Sequence, residues 1–131
     1  MMMKSIILAM TGMLMAASMP EEASASEPGM EIYTRHCNAC HPLNQPPTGG
    51  PPVLGIALHY HEAFIEREAG VTHMMAFIEN PDPRASQLEP AAMTRFGLMP
   101  PIKLNKRELK MVAEWFWDQY RQGFKPPGGC R

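Results

Sequence analysis

The stretch Arg35-His-Cys-Asn-Ala-Cys-His-Pro42 holds two of the chain's three cysteines and two of its five histidines. Its core, Cys-x-x-Cys-His, is the attachment signature of c-type haem. Two thiols separated by two residues can reach the two vinyl groups of one porphyrin, and the next histidine then lies near the iron. We therefore predict one covalent haem c, linked through Cys37 and Cys40, with His41 as an axial ligand.

Three other interpretations of this motif compete with haem. A thiol redox pair would be expected within a βαβ unit, which the sequence does not indicate. A zinc site would need further ligands, but there is no second cysteine pair, and the remaining histidines lack zinc-finger spacing. Chance occurrence is the third alternative. The signal-like sequence at the beginning of the chain favours haem over all three.

Residues 1–25 have the layout of a secretory signal. Lys4 precedes an apolar run of about a dozen residues, and Ala23-Ser-Ala25 offers a cleavage site. The run is shorter than the roughly 20 residues that a membrane span needs. We predict a cleaved signal over residues 1–25, with cleavage near Ser18 and an uncleaved anchor as alternatives. The mature domain would be residues 26–131, a soluble periplasmic protein without a membrane span.

Charge is distributed unevenly along the predicted mature chain. Residues 26–94 carry three basic and eight acidic side chains, a net charge of −5, whereas residues 95–131 carry eight basic and three acidic ones, a net charge of +5. A polar molecule of this kind can be oriented by a partner's field. There is no strongly basic face with interleaved aromatic residues, so nucleic acid is not an expected partner.

The hydrophobic periodicity predicts an all-α fold, since no stretch alternates like a strand. Asn105 and Glu108 form a predicted capping box, and Gly29 lies inside the first helix, where a glycine suggests close contact with another element. A loop is expected over residues 43–55, and residues 123–131 should form a flexible tail that contains Cys130. The expected helical segments are residues 27–37, residues 60–69 closed by Gly70, a helix from Thr72 to the Asn80-Pro81 stop, a turn after Pro90, and a helix between Asn105 and Gly123.

A second axial ligand is predicted at Met99. A thioether opposite histidine raises the reduction potential of haem iron, and the prolines after Met99 stiffen its loop. Met93 is a rival ligand that lacks flanking prolines. Met74 and Met75 fall inside a helical pattern and are expected in the core.

Residues 28–122 together resemble the bacterial monohaem type of class I cytochrome c. Gly29 and Tyr33, and Val112 and Trp115, match the family's crossing of the first and last helices. The resemblance implies a cytochrome c fold of three to five helices wrapped around one haem. The segment Gly50-Pro51-Pro-Val-Leu-Gly55 also fits the family, and implies that the Pro51 carbonyl accepts a hydrogen bond from His41 Nδ1–H.

The same resemblance implies a one-electron carrier and not an enzyme. Such a carrier docks transiently with redox partner proteins. One alternative is a dedicated cytochrome c subunit of an exported dehydrogenase, for example a sulfite- or thiosulfate-oxidising one. Another is an enzyme or gas binder with an open iron site. Residues 44–52, residues 84–96 and the tail with Cys130 depart from the family pattern.

Overall fold

The computed structural model describes residues 26–43 and 49–126, so the predicted signal and Cys130 lie outside the described residues. The described part contains five α-helices, one short 3-10 helix and no β-strand. The predicted all-α class is therefore confirmed for this part of the chain. The helices are α1 (Ser26–His36), α2 (Val53–Ala63), α3 (Arg67–Glu79), α4 (Pro90–Phe96) and α5 (Lys106–Asp118), and the 3-10 helix is Pro83–Ala85.

The core forms around α5, which packs against α1, α2 and α3. Its apolar face repeats at helical spacing, so one side of the helix is buried and the other is charged. The core joins the buried side chains of these four helices with that of Cys37, in the turn after α1. The buried residues of α5 are Leu109, Val112, Ala113, Trp115, Phe116 and Trp117.

The contact between α1 and α5 is close enough to require a glycine. A Cβ added to Gly29 would lie 2.5 Å from the Met111 carbonyl oxygen and 2.6 Å from Trp115 Cβ. One turn later, the rings of Tyr33 and Trp115 stack with their centroids 4.3 Å apart. The predicted close approach at Gly29 is confirmed, and the first and last described helices form one interface.

The boundary between α2 and α3 differs from the prediction. A single helix over residues 60–69 is wrong, because α2 ends at Ala63, Phe64 is extended and α3 begins at Arg67. Gly70 does not close a helix but lies inside α3. A Cβ at this position would overlap the Trp117 ring of α5. Packing against α5 thus decides the role of this glycine, which local helix signals cannot reveal.

The last helix begins as predicted and ends earlier. Asn105 accepts a hydrogen bond from the Glu108 backbone, and the Glu108 side chain accepts one from the Asn105 backbone, so the capping box is confirmed. The helix ends at Asp118, and the prediction that Gly123 terminates it is wrong. Gly123 instead has a positive φ of 78° in a later turn. The predicted loop over residues 43–55 is also too long, because α2 already begins at Val53.

Candidate functional site

An apolar cavity that opens to solvent lies beside the Cys-x-x-Cys-His motif. Its volume is about 100 Å³. Small-molecule and cofactor sites have mostly apolar walls with a few polar groups. The lining of this cavity therefore has the character of a site for an apolar ligand. Its lining residues are Cys37, His41, Pro51, Ile56, Tyr60, Met74, Phe77, Ile78, Ser86, Gln87, Leu88, Ala92, Met93, Phe96, Gly97, Met99 and Phe116.

His41 projects from the turn that follows α1 and is held in one orientation. Its Nδ1 lies 2.8 Å from the Pro51 carbonyl oxygen. A carbonyl oxygen only accepts hydrogen bonds, so Nδ1–H donates and Nε2 carries the lone pair in the neutral ring. Burial lowers the pKa of His41, while the Pro51 contact opposes that shift in part. The ring is thus a neutral imidazole with a bare Nε2, the form that binds a metal.

Cys37 lies at the wall of the same cavity and is only 8% exposed. Burial, and secondarily the charge of Cys40, raises the pKa of the Cys37 thiol to about 11. Redox-active Cys-x-x-Cys pairs have thiols with lowered pKa values. The environment of Cys37 therefore does not favour the thiol redox interpretation of the motif.

Cys40 is the one predicted attachment residue that does not line the cavity. Its side chain is exposed, and Cys40 Sγ would lie 3.5 Å from a Cβ placed on Gly49. The structure thus brings Cys37, His41, Pro51 and Met99 to one cavity and leaves Cys40 on the adjoining turn.

The turn of the motif is fastened to α1 by Tyr33. Its hydroxyl donates to the His41 carbonyl oxygen at 2.8 Å and lies 3.0 Å from the side-chain amide of Asn38. The His41 N–H donates to the Cys37 carbonyl at 2.9 Å, which closes one further turn of helix-like backbone. Tyr33 therefore couples the helix interface to the position of His41, a role that its apolar spacing does not predict.

Two of the candidate methionines line the same cavity. Met93 lies in α4, and Met99 follows in an irregular segment before Pro100 and Pro101. Gly97 ends α4 with a positive φ of 73°, a conformation that favours glycine, and so redirects the chain toward Met99. Ile102 N–H donates to the Ile78 carbonyl at 3.0 Å, which anchors this segment to α3.

Met74 also lines the cavity, although it is 3% exposed and belongs to the core as predicted. Met75 is partly buried and packs against that core. The cavity therefore contains three thioethers, of which only Met99 lies on a segment stiffened by prolines.

The remaining histidines of α2 and α3 do not line the cavity. His61 is stacked between Trp117 and Tyr120, with centroid distances of 3.9 and 4.2 Å. His59 pairs with a glutamate of its own helix. His73 contacts Tyr60 and Gln87, which do line the cavity, and this polar cluster was not predicted from the sequence. Its members are separated by 13 and 14 residues along the chain, so no local pattern reveals it.

The described residues contain neither a cluster of metal ligands nor a membrane-spanning helix. Within residues 26–43 and 49–126, no three or more histidine, cysteine or acidic side chains are grouped to hold a metal ion. In the same part of the chain, no helix has the length and apolarity to cross a membrane.

Comparison with known proteins gives one relative. No family model and no solved structure matches the chain. A protein of Aquifex aeolicus (strain VF5), described as an uncharacterized protein, is 26% identical over 116 residues, which cover 74% of this chain and 76% of that protein. This similarity indicates relatedness over most of both chains and carries no information on activity.

Proposed function

We propose that this chain is a periplasmic one-electron carrier of the class I cytochrome c type. In this proposal Cys37 and Cys40 hold haem c covalently, and His41 and Met99 are the axial ligands. The observation that carries the proposal is the His41–Pro51 hydrogen bond of 2.8 Å at the wall of an apolar cavity that Cys37 and Met99 also line. The proposal includes export directed by residues 1–25.

The donor set of the cavity fits a haem. His41 offers a bare Nε2 because its Nδ1–H is engaged by Pro51. Met99 offers a soft thioether on a segment anchored at Ile102. Cys37 is already at the wall, whereas the exposed side chain of Cys40 would have to turn toward the cavity for attachment.

Haem c, when bound, supplies a one-electron iron couple, and the residues of the chain set its surroundings. The Pro51 carbonyl fixes the tautomer and orientation of His41, and Tyr33 fixes the backbone of the same residue. The mostly apolar lining would surround a bound redox centre with few polar groups, which favours its less charged state. Pro100 and Pro101 restrict the movement of the Met99 segment.

Four basic side chains follow the Met99 segment and are exposed: Lys103, Lys106, Arg107 and Lys110. In this proposal they steer an acidic redox partner toward the same end of the molecule, in line with the net charge of +5 over residues 95–131. The docking would be weak and transient, as redox encounters generally are.

The proposal is tested by expressing the full chain with and without a haem-attachment system in the periplasm. The expected product of the first culture is coloured, retains one haem mass under denaturing conditions and has no reactive thiol at Cys37 or Cys40. Cys37→Ala and Cys40→Ala should each lose one thioether bond, and the matched control Cys130→Ala should keep both. A colourless product with reactive thiols at positions 37 and 40 contradicts the proposal.

The ligand assignment has its own test in the oxidised protein. Methionine bound to ferric haem gives a weak far-red absorption band in this family. We expect Met99→Ala to lose this band and Met93→Ala to retain it. The opposite pattern would assign the ligand to Met93.

A further inference from the structure

The turn between α2 and α3 carries a large apolar side chain that stands in solvent. Ile65 is 97% exposed, the most of any large apolar residue in the described part of the chain. The preceding Phe64 turns inward and stacks on Tyr60, with ring centroids 5.8 Å apart. A single exposed apolar residue is common on protein surfaces. The surroundings of Ile65 therefore decide whether it has a role in binding.

This turn lies beside the C-terminal end of α5. Arg67, which begins α3, pairs with Asp118 at 3.1 Å and with Glu114 at 3.2 Å. His61, near the end of α2, stacks on Tyr120, which follows α5 and is 39% exposed. Exposed apolar and acidic side chains therefore share one end of the molecule. We call this surface the acidic corner, and its residues are Glu62, Ile65, Glu66, Glu68 and Tyr120.

The acidic corner has negative charge to offer a partner. Glu66 and Glu68 are exposed, and neither takes part in an ion pair among the described residues. The neighbouring Arg67 does not neutralise them, because its guanidinium is engaged by the two acids of α5. Arg121 follows Tyr120 and offsets only one of the three glutamates. The corner is thus an apolar anchor within an acidic surface.

The other end of α5 is basic. We call the exposed side chains Lys103, Lys106, Arg107 and Lys110 the basic end, and no ion pair of residues 26–43 and 49–126 involves them. Lys106 and Arg107 lie in the first turn of α5, where the helix dipole favours anions, so these charges do not serve the stability of the helix.

The basic end also offers apolar surface. Ile102 and Leu104 flank Lys103 and are partly exposed, although they pack against the core. The basic end therefore complements the acidic corner in charge and in apolar contact.

The two surfaces of one molecule cannot satisfy each other. They lie at opposite ends of α5, whose 13 residues span about 20 Å. That distance is about twice the screening length of roughly 10 Å at 0.1 M salt. The whole chain has a net charge of only −1, so two copies do not strongly repel each other. The complementary charges can therefore pair only between molecules.

We propose that the acidic corner of one molecule docks on the basic end of a second copy of this chain, with Ile65 as the apolar anchor. The contact joins two different surfaces and is heterologous, so each pair leaves one corner and one basic end free and short chains of molecules form at high concentration. The inference goes beyond the proposed function and does not depend on haem, because none of these residues lines the cavity. Self-association would use the basic side chains that steer an acidic redox partner, so the two contacts exclude each other.

The first test is sedimentation velocity of the full chain as exported, with Cys130→Ala in every sample to prevent disulfide linkage. The runs compare salt concentrations of roughly 0.01 M and 1 M, at which the screening length is about 30 and 3 Å. We expect association that grows with protein concentration at low salt and is lost at high salt. A chain that sediments as a monomer at every concentration in both conditions overturns the proposal and leaves the corner to a different basic protein.

The second test reverses the charges of each surface in turn. The double variants Glu66→Lys/Glu68→Lys and Lys106→Glu/Arg107→Glu should each sediment as monomers, because the two surfaces of each variant then carry the same sign. An equimolar mixture of the two variants should associate, since the reversed corner meets the reversed basic end. Recovery in the mixture also shows that both variants are folded. A mixture that stays monomeric, while the unmodified chain associates, overturns the assignment of these surfaces.

The third test measures the apolar anchor. Ile65→Ser changes a side chain that makes no core contact, and it should lower the association constant about fivefold or more, the effect of one well-placed interface residue. Met30→Ser is the matched control, because Met30 is 51% exposed on α1 and should leave association unchanged. Glu27→Lys/Glu89→Lys reverses two exposed acids outside the corner and should also associate like the unmodified chain. Equal effects of the corner and control variants overturn the proposal.

The outcomes separate this inference from the proposed function, because absorbance in the same runs reports whether haem is attached. A monomeric haem protein overturns self-association and leaves the proposed function standing. A colourless chain that associates as described supports self-association and overturns the proposed function.

Discussion

Replacing Gly29 with alanine tests the close contact on which the fold depends. Alanine inside a helix is favoured over glycine by about 1 kcal/mol. At Gly29, however, the new Cβ would lie 2.5 Å from the Met111 carbonyl oxygen and 2.6 Å from Trp115 Cβ. The first of these atoms belongs to the backbone and cannot rotate away, so α1 and α5 must separate.

The size of the effect follows from these two opposing terms. Overpacking a well-packed interface costs about 1–3 kcal/mol, and a backbone collision lies near the upper end of that range. Subtracting the helix-propensity gain leaves a net loss of about 2 kcal/mol in the free energy of unfolding. For a domain of this size the melting temperature should fall by roughly 10 °C.

Gly55→Ala is the matched control. Gly55 is also buried inside a helix, but a Cβ there would meet only Pro52 Cγ at 3.6 Å, an ordinary contact. We expect this variant to be unchanged or more stable by up to about 1 kcal/mol.

Urea unfolding of the full chain would measure the free energy of unfolding of the two variants. It would be followed by circular dichroism and by the fluorescence of the two tryptophans, both on α5. The close-packing argument is refuted if Gly29→Ala is as stable as the unmodified chain, or if both variants lose the same stability.

Three further predictions concern other parts of the molecule. Tyr33→Phe keeps the ring but removes the hydroxyl that donates to the His41 carbonyl at 2.8 Å, so urea titration should show a loss of about 1 kcal/mol in the free energy of unfolding. No loss would mean that this hydrogen bond does not stabilise the turn. Asn105→Ala removes the cap that accepts from the Glu108 N–H and should cost about 1 kcal/mol in the same assay, and an unchanged midpoint would contradict the capping argument. Because burial lowers the pKa of His73 below its usual 6.5, the unfolded chain takes up this proton at a higher pH than the folded chain, and stability should fall as the pH drops below about 6.5. In thermal melts at several pH values, His73→Gln should reduce this dependence of stability on pH. The same slope in the variant and the unmodified chain would exclude His73 as the cause.

Features that depend on neighbouring residues could be read from the sequence. The capping box at Asn105, the helix at the start of the described chain and the stop after Glu79 follow from local hydrogen bonding and from proline, which act over a few residues. The Cys-x-x-Cys-His motif is equally local, and the haem attachment that it predicts depends on two thiols and an imidazole at fixed spacing. The approach at Gly29 was predictable because an interior glycine is unfavourable unless something lies close to it.

The tertiary structure alone decided the features that join distant residues. The sequence predicts that Gly70 ends a helix, yet Gly70 lies inside α3. Its lack of a side chain is explained by the Trp117 ring, which occupies the space where a Cβ would project. The polar cluster of Tyr60, His73 and Gln87 forms only when three separate segments meet beside the cavity. Burial and hydrogen-bond satisfaction are properties of the packed molecule, so they can override a local signal or assemble a site that has none.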